Sequence, residues 1–252
     1  MTTVTATRPV ATPFARIWRV ARLDVANPST LLVLPWIFLI AILLMNIAIW
    51  AIITYAAGGH LPADAFQWSG AVAFIYIYLG IAAVQTMSIT FPFALGYGVT
   101  RRDFYLGSSL TFVLLSLLYA VGMTVLGAIE RATGGWWLNG RMFTAIYFAG
   151  NDAWYVQLWV YFCGLLFSLF LGSVFAAVWV RWKAYGLVAT FIALAFLIIG
   201  LIAIPTYLSA WDEISATIVR LGWVGTSSLS LVLTALLAVL GFGLLRRATP
   251  RA

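Results

Sequence analysis

The chain has 252 residues, of which 64% are hydrophobic and 8% charged, with a formal net charge of +7. A soluble domain carries roughly 25% charged residues, so this composition excludes a water-covered globule and makes lipid the solvent. Cys163 is the only cysteine; it excludes an intrachain disulfide and reads as a small buried apolar residue.

Residues 1–12 are polar and lack the apolar core of a signal sequence, so they read as a cytoplasmic leader. Over 13–26 a helical period places Phe14, Ile17, Trp18, Ala21 and Val25 on one face and Arg16 and Arg19 on the other, with Arg22 at the edge. That pattern predicts an amphipathic elbow helix lying in the headgroup plane. Asn27, Pro28 and Ser29 end it, and Ser29 or Thr30 caps the next helix.

Six windows then carry no Asp, Glu, Lys or Arg: 25–63, 65–100, 104–129, 153–180, 184–211 and 221–245. Each is long enough for one span, which needs about 20 apolar residues. Gly58, Gly59 and Pro62 break the first window, and Pro92, Gly96 and Gly98 break the second. The expected fold is a single all-α integral membrane domain with six transmembrane helices at about 31–55, 70–95, 106–129, 154–180, 185–205 and 225–246. Barrel strands alternate in polarity, whereas 31–50 and 187–204 are apolar nearly all round.

With the N-terminus inside, 11 of the Lys and Arg residues fall on the cytoplasmic side and Arg131, Arg141 and Arg220 fall outside. The positive-inside bias therefore predicts both termini in the cytoplasm. The same distribution assigns the net charge to membrane flanks and excludes nucleic acid as a partner. Trp179, Trp182 and Tyr185 flank the Arg181–Lys183 turn as an interfacial belt. Within the loop 206–224, Ser209 stands three residues before Asp212 at a cap-like spacing, ahead of Ile214, Ile218 and Leu221. A short helix at the outer interface is expected there.

Several chemistries have no residues to carry them. The only lysine is followed by Ala184, so no P-loop is present. His60 is the only histidine, and with Asp64 it offers two ligands, too few for a zinc site. The span middles hold no ionisable group, unlike the carriers that run on ion gradients. They offer Asn46, Gln85, Thr86, Ser88, Ser116, Ser168, Thr190 and Thr234, which read chiefly as hydrogen-bonding helix joints. Glu130, beside Arg131, reads as a solvated helix end.

Between the second and third spans runs Gly98-Val99-Thr100-Arg101-Arg102-Asp103-Phe104. Thr100 with Asp103 three residues on fits a helix cap. This run, ending a second span in a six-span chain of this length, resembles the permease subunits of bacterial ABC-2-type exporters. The layout of the whole chain is similar to theirs, from elbow helix to helical outer segment. The resemblance implies that residues 97–105 form a coupling helix, with Tyr97, Val99, Thr100, Arg101, Arg102, Asp103 and Phe104 meeting a separate ATPase. Two copies of that ATPase would hold the ATP and Mg, and this chain would bind no cofactor and be no enzyme by itself. It further implies a second membrane subunit, identical or related, and a place in the bacterial inner membrane. Phe14, Ile17, Trp18 and Ala21 would contact the bilayer. A path for a lipophilic drug, lipid or peptide would be lined by the second and fifth spans, with Phe74, Tyr78, Gln85, Ser88, Thr190 and Phe196 as candidates. A non-catalytic assembly or sensor subunit is the alternative. A membrane-embedded lipid-modifying enzyme is another, for which the acid–base residues are missing.

Overall fold

A computed structural model describes residues 12–25, 28–59, 62, 65–145 and 148–246. His60, Asp64 and the leader up to residue 11 lie outside the described residues. The chain forms α1 (Pro13–Asp24), a π-helical turn (Ser29–Val33) opening α2 (Leu34–Ala56), α3 (Ala73–Gly96), α4 (Arg101–Ala132), α5 (Trp154–Tyr207) and α6 (Trp211–Arg246). A five-residue helical turn, Gly135–Asn139, lies in the loop after α4. No strand occurs among the described residues. Five of the helices are long and apolar enough to cross a membrane, which marks a multi-pass membrane protein.

The longest, α5, has 54 residues. As a straight rod it would measure about 80 Å against a hydrocarbon core of about 30 Å. It is not straight. Lys183 adopts φ 57°, ψ −142°, and the rings of Phe175 and Phe191 stack at 5.3 Å. Sixteen residues of straight helix would hold those rings about 24 Å apart, so 154–182 and 184–207 fold back on each other as a helical hairpin. α6 is likewise broken, at Gly222 (φ 61°). Its first limb, 211–221, is the helix expected within the segment 206–224, but Ser209 does not cap it. Ser209 sits at φ 51°, and Ala210 N–H donates to Pro205 C=O. Ser209 is thus the left-handed residue that terminates α5.

Side-chain hydrogen bonds join the helices differently from the sequence expectation. The hydroxyls of Thr111, Ser116, Thr124, Thr190 and Thr234 each donate to the carbonyl four residues back in their own helix. Asn46 does the same to Ile42. Of the groups expected to join helices, Ser168 does so, donating from α5 to the Tyr76 carbonyl of α3. Nearby, a Cβ on Gly172 would lie 2.3 Å from the Gly80 carbonyl oxygen, so that helix crossing requires glycine.

Tyrosines provide other interhelical bonds. Pro35 has no N–H and so cannot serve the carbonyls of the π-helical turn that precedes it. The Tyr119 hydroxyl of α4 donates to Leu31 C=O at 2.7 Å, and Tyr78 of α3 donates to Thr30 C=O at 2.9 Å. Trp36 stacks on Tyr119 at 5.0 Å. Tyr105 donates to Ala238 C=O of α6 at 2.7 Å. Tyr119→Phe should lower stability in detergent by about 1–3 kcal/mol, the cost of one buried interhelical hydrogen bond. Chemical unfolding checks this, with Tyr155→Phe as an exposed control that leaves the midpoint unchanged.

Candidate functional site

The α3–α4 turn is built by a helix stop and a helix start in immediate succession. Tyr97 ends α3, and Gly98 at φ 79° lets the chain reverse. Val99 N–H and Gly98 N–H close the stop onto the carbonyls of Ala94 and Leu95. Thr100 then caps α4, its side-chain oxygen accepting from Asp103 N–H at 3.1 Å. The turn is fastened to its neighbours. The Asp103 carboxylate pairs with Arg16 of α1 at 3.3 Å. Arg101 donates to the Arg246 carbonyl at the end of α6 at 2.8 Å. Phe104 is fully buried against Phe91, with ring centroids 5.3 Å apart.

Of the seven residues in the predicted coupling set, Arg101 and Asp103 thus face other helices, Phe104 is core, and Val99 is half-buried. Thr100, Tyr97 and Arg102 are exposed, Tyr97 by 83%. A cavity of about 330 Å³ lies between α1 and the turn, lined in part by Arg16, Arg19, Tyr97 and Asp103.

The elbow helix divides its apolar face between two surroundings. Phe14 and Trp18 stack on each other and remain exposed, and the Arg22 guanidinium lies over Trp18 at 5.8 Å. Ile17 is half-buried, and Ala21 is buried with Val20. Val20 meets α4 at Gly107, where an added Cβ would lie 2.5 Å from the valine Cβ. Asp24 is also buried, at 6% exposure, and neither carboxyl oxygen has a hydrogen-bond partner among the described residues. Burial raises its pKa from 3.8 to about 6, opposed in part by the nearby hydroxyls of Ser108 and Thr111.

The six predicted path residues do not share one opening. Phe74 and Tyr78 pack with Phe38 of α2, at 6.0 and 6.3 Å. The Ser88 hydroxyl is buried without a hydrogen-bond partner among the described residues. Thr190 is half-buried beside the Lys183 turn, whereas Phe196 is 70% exposed on the second limb of α5. Gln85 is exposed midway along α3, in a row with Ile77, Ile81, Ile89 and Phe93, and has no hydrogen-bond partner among the described residues.

At the far end of α4, Glu130 corrects the reading of a solvated helix end. It is 1% exposed. Its Oε1 accepts from the backbone N–H and hydroxyl of Thr144 at 2.8 and 2.6 Å. Its Oε2 accepts from the Trp136 indole at 2.8 Å and from Met142 and Phe143 N–H at 3.0 Å. Five donors converge on one carboxylate and hold the following loop against the helix end. The loop carries Trp136, Trp137, Asn139 and Ala149 at positive φ, backbone strain that the carboxylate bonds stabilise.

No family model, curated protein or solved structure matches this chain.

Two outcomes are expected. In Glu130→Gln an amide NH₂ must face backbone donors, so stability should fall by about 2–4 kcal/mol in thermal unfolding. For Asp24 the folded pKa lies above the unfolded one, so its contribution is intact below pH 4 and is lost as pH rises through 6. Asp24→Asn should match the parent near pH 4 and exceed it by about 2–3 kcal/mol at pH 8. A variant gain independent of pH would show that the carboxyl is not the cause.

Proposed function

We propose that this chain is the membrane-spanning subunit of an ABC exporter driven by an ATPase made as a separate chain. The supporting observation is the fastening of the α3–α4 turn. It is tied to α1 through Arg16–Asp103 and to α6 through Arg101, while Tyr97 and Arg102 face outward. A partner pressing on those two residues would move α1, α3, α4 and α6 together.

In this reading the α5 hairpin contributes two spans, making six in all. The α3–α4 turn, the Lys183 turn and both termini face the cytoplasm of a bacterial inner membrane, following the positive-inside bias. Gln85, exposed at mid-span, meets a second membrane subunit. The second limb of α5 holds no buried residue and has the highest hydropathy of the chain, which suits a lipophilic cargo. ATP closes the ATPase pair, the turns are displaced, and the two membrane subunits alternate between inward- and outward-facing states.

The test is purification from native membranes under mild detergent, with mass spectrometry of what accompanies the chain. A stoichiometric ATPase carrying a Walker A lysine is expected. Arg102→Glu should weaken that association about tenfold or more, the loss of one charge-assisted contact. An acid in the first turn of α4 favours the helix dipole, so this variant keeps its fold. Absence of any ATPase would sink the reading.

A further inference from the structure

A second cavity, of about 410 Å³, opens where the loop folds over the end of α4. Its wall includes Glu130, Arg131, Asn139, Arg141, Asn151 and Asp152. The set is formally neutral, two arginines against two acids, but its unclaimed hydrogen-bond donors outnumber its free acceptors. Glu130 would be the natural counter-charge to the arginines, but its carboxylate is spent on five other donors. Arg16–Asp103 is the ion pair found among the described residues; Arg131 and Arg141 enter none. Two guanidinium groups therefore face one exposed carboxylate, that of Asp152.

Each guanidinium is held in place by a single tether to the far wall. Arg131 donates to Gly150 C=O at 3.4 Å, and Arg141 donates to the Asn151 side-chain oxygen at 2.8 Å. An arginine has five N–H donors, so most of the donors on both remain unclaimed among the described residues. The Glu130 bonds fix the loop that carries Arg141, so the two cations are positioned before any ligand arrives. Paired guanidinium groups match the oxygens of a phosphate. Trp137 and Trp154, 81% and 62% exposed, flank the same loop, and exposed tryptophans mark the depth at which lipid phosphates lie.

We propose that this cavity binds a phosphate-bearing group between Arg131 and Arg141, supplied by a phospholipid headgroup or by a soluble phosphate ester. Asp152 adds a preference for a ligand that also carries an ammonium. The proposal stands on the loop geometry and does not depend on the ATPase reading.

The test uses the full chain, purified in phosphate-free detergent buffer. Native mass spectrometry is run with phosphatidylethanolamine, with diacylglycerol and with glycerol 3-phosphate. Saturable retention of phosphatidylethanolamine over diacylglycerol is expected. Displacement of that lipid by glycerol 3-phosphate assigns the site to soluble esters as well, and its failure to compete assigns the site to the headgroup in its bilayer setting; both support the proposal. Arg131→Gln with Arg141→Gln should lower affinity about a hundredfold, the loss of two charge-assisted bonds. Arg220→Gln, on the first limb of α6, should change nothing. Equal retention of phosphatidylethanolamine and diacylglycerol by the parent chain, with no binding of glycerol 3-phosphate, overturns the proposal. That comparison needs no variant to fold. Undiminished binding by a folded double variant overturns it as well.

Discussion

Hydrocarbon offers no water to a bare carbonyl, so every polar group within it must be satisfied from inside the protein. Pro35 makes that demand acute at the start of α2, where it removes a donor from the carbonyls of the π-helical turn before it. The Tyr119 hydroxyl supplies a donor to Leu31 C=O. Because Tyr119 lies on α4, satisfying one carbonyl also fixes where α2 stands relative to α4. Tyr78 fixes α3 against the same turn, and Tyr105 fixes α6 against α4. Each bond pairs a local backbone requirement with a packing relation between helices. The apolar contacts alone, with lipid as apolar as leucine, would not select one arrangement so firmly.

Asp24 and Glu130, two of the buried carboxyl groups, show how donors decide the outcome of burial. Asp24 is packed against α4 with no hydrogen-bond partner among the described residues, and its pKa is raised to about 6. Glu130 is more deeply buried, yet it gathers five donors, three of them backbone N–H groups. Such a carboxylate organises its surroundings, since the loop must wrap around it to present those groups. α4 therefore carries a fastened turn at one end and a pinned loop at the other, with about 48 Å of helix between them.

The apolar helices are legible in the sequence because a chain that stays in water rarely runs so far without a charge. The hairpin joint at Lys183 is legible for the same reason, since it carries the charges between two such windows. Thr100 is legible because its cap uses residues three apart. The Glu130 lock is not, because its donors are mostly backbone N–H groups 12 to 14 residues downstream, and backbone groups leave no composition signal. Trp136, six residues on, is visible in the sequence only as a loop aromatic. Ser209 misleads because a serine before Asp212 looks like a cap, while its left-handed φ is a property of the chain reversal. The face of α1 is plainly apolar from its spacing. The division of the helix between exposed residues (Phe14, Trp18) and residues packed on protein (Ala21, and Val20 beside that face) depends on where Gly107 of α4 comes to lie.

The exposed surfaces of α3 and of the second α5 limb carry unequal weight. An apolar helix facing lipid costs almost nothing, so the bare limb 184–207 needs no partner to account for it. Gln85 differs. It is flanked by Ile81 and Ile89 on the same exposed row, and its amide has two donors and an acceptor to satisfy. Unlike Asn46, it makes no bond back to its own helix. A hydrogen bond between membrane helices is worth about 1–2 kcal/mol at most, but leaving an amide bare in hydrocarbon costs more. The apolar row around Gln85 gives a neighbouring helix a flat surface on which to approach. The amide gives that neighbour a reason to stay in one register. Under the proposed function, Gln85 is the described mid-span position at which a second subunit would pair.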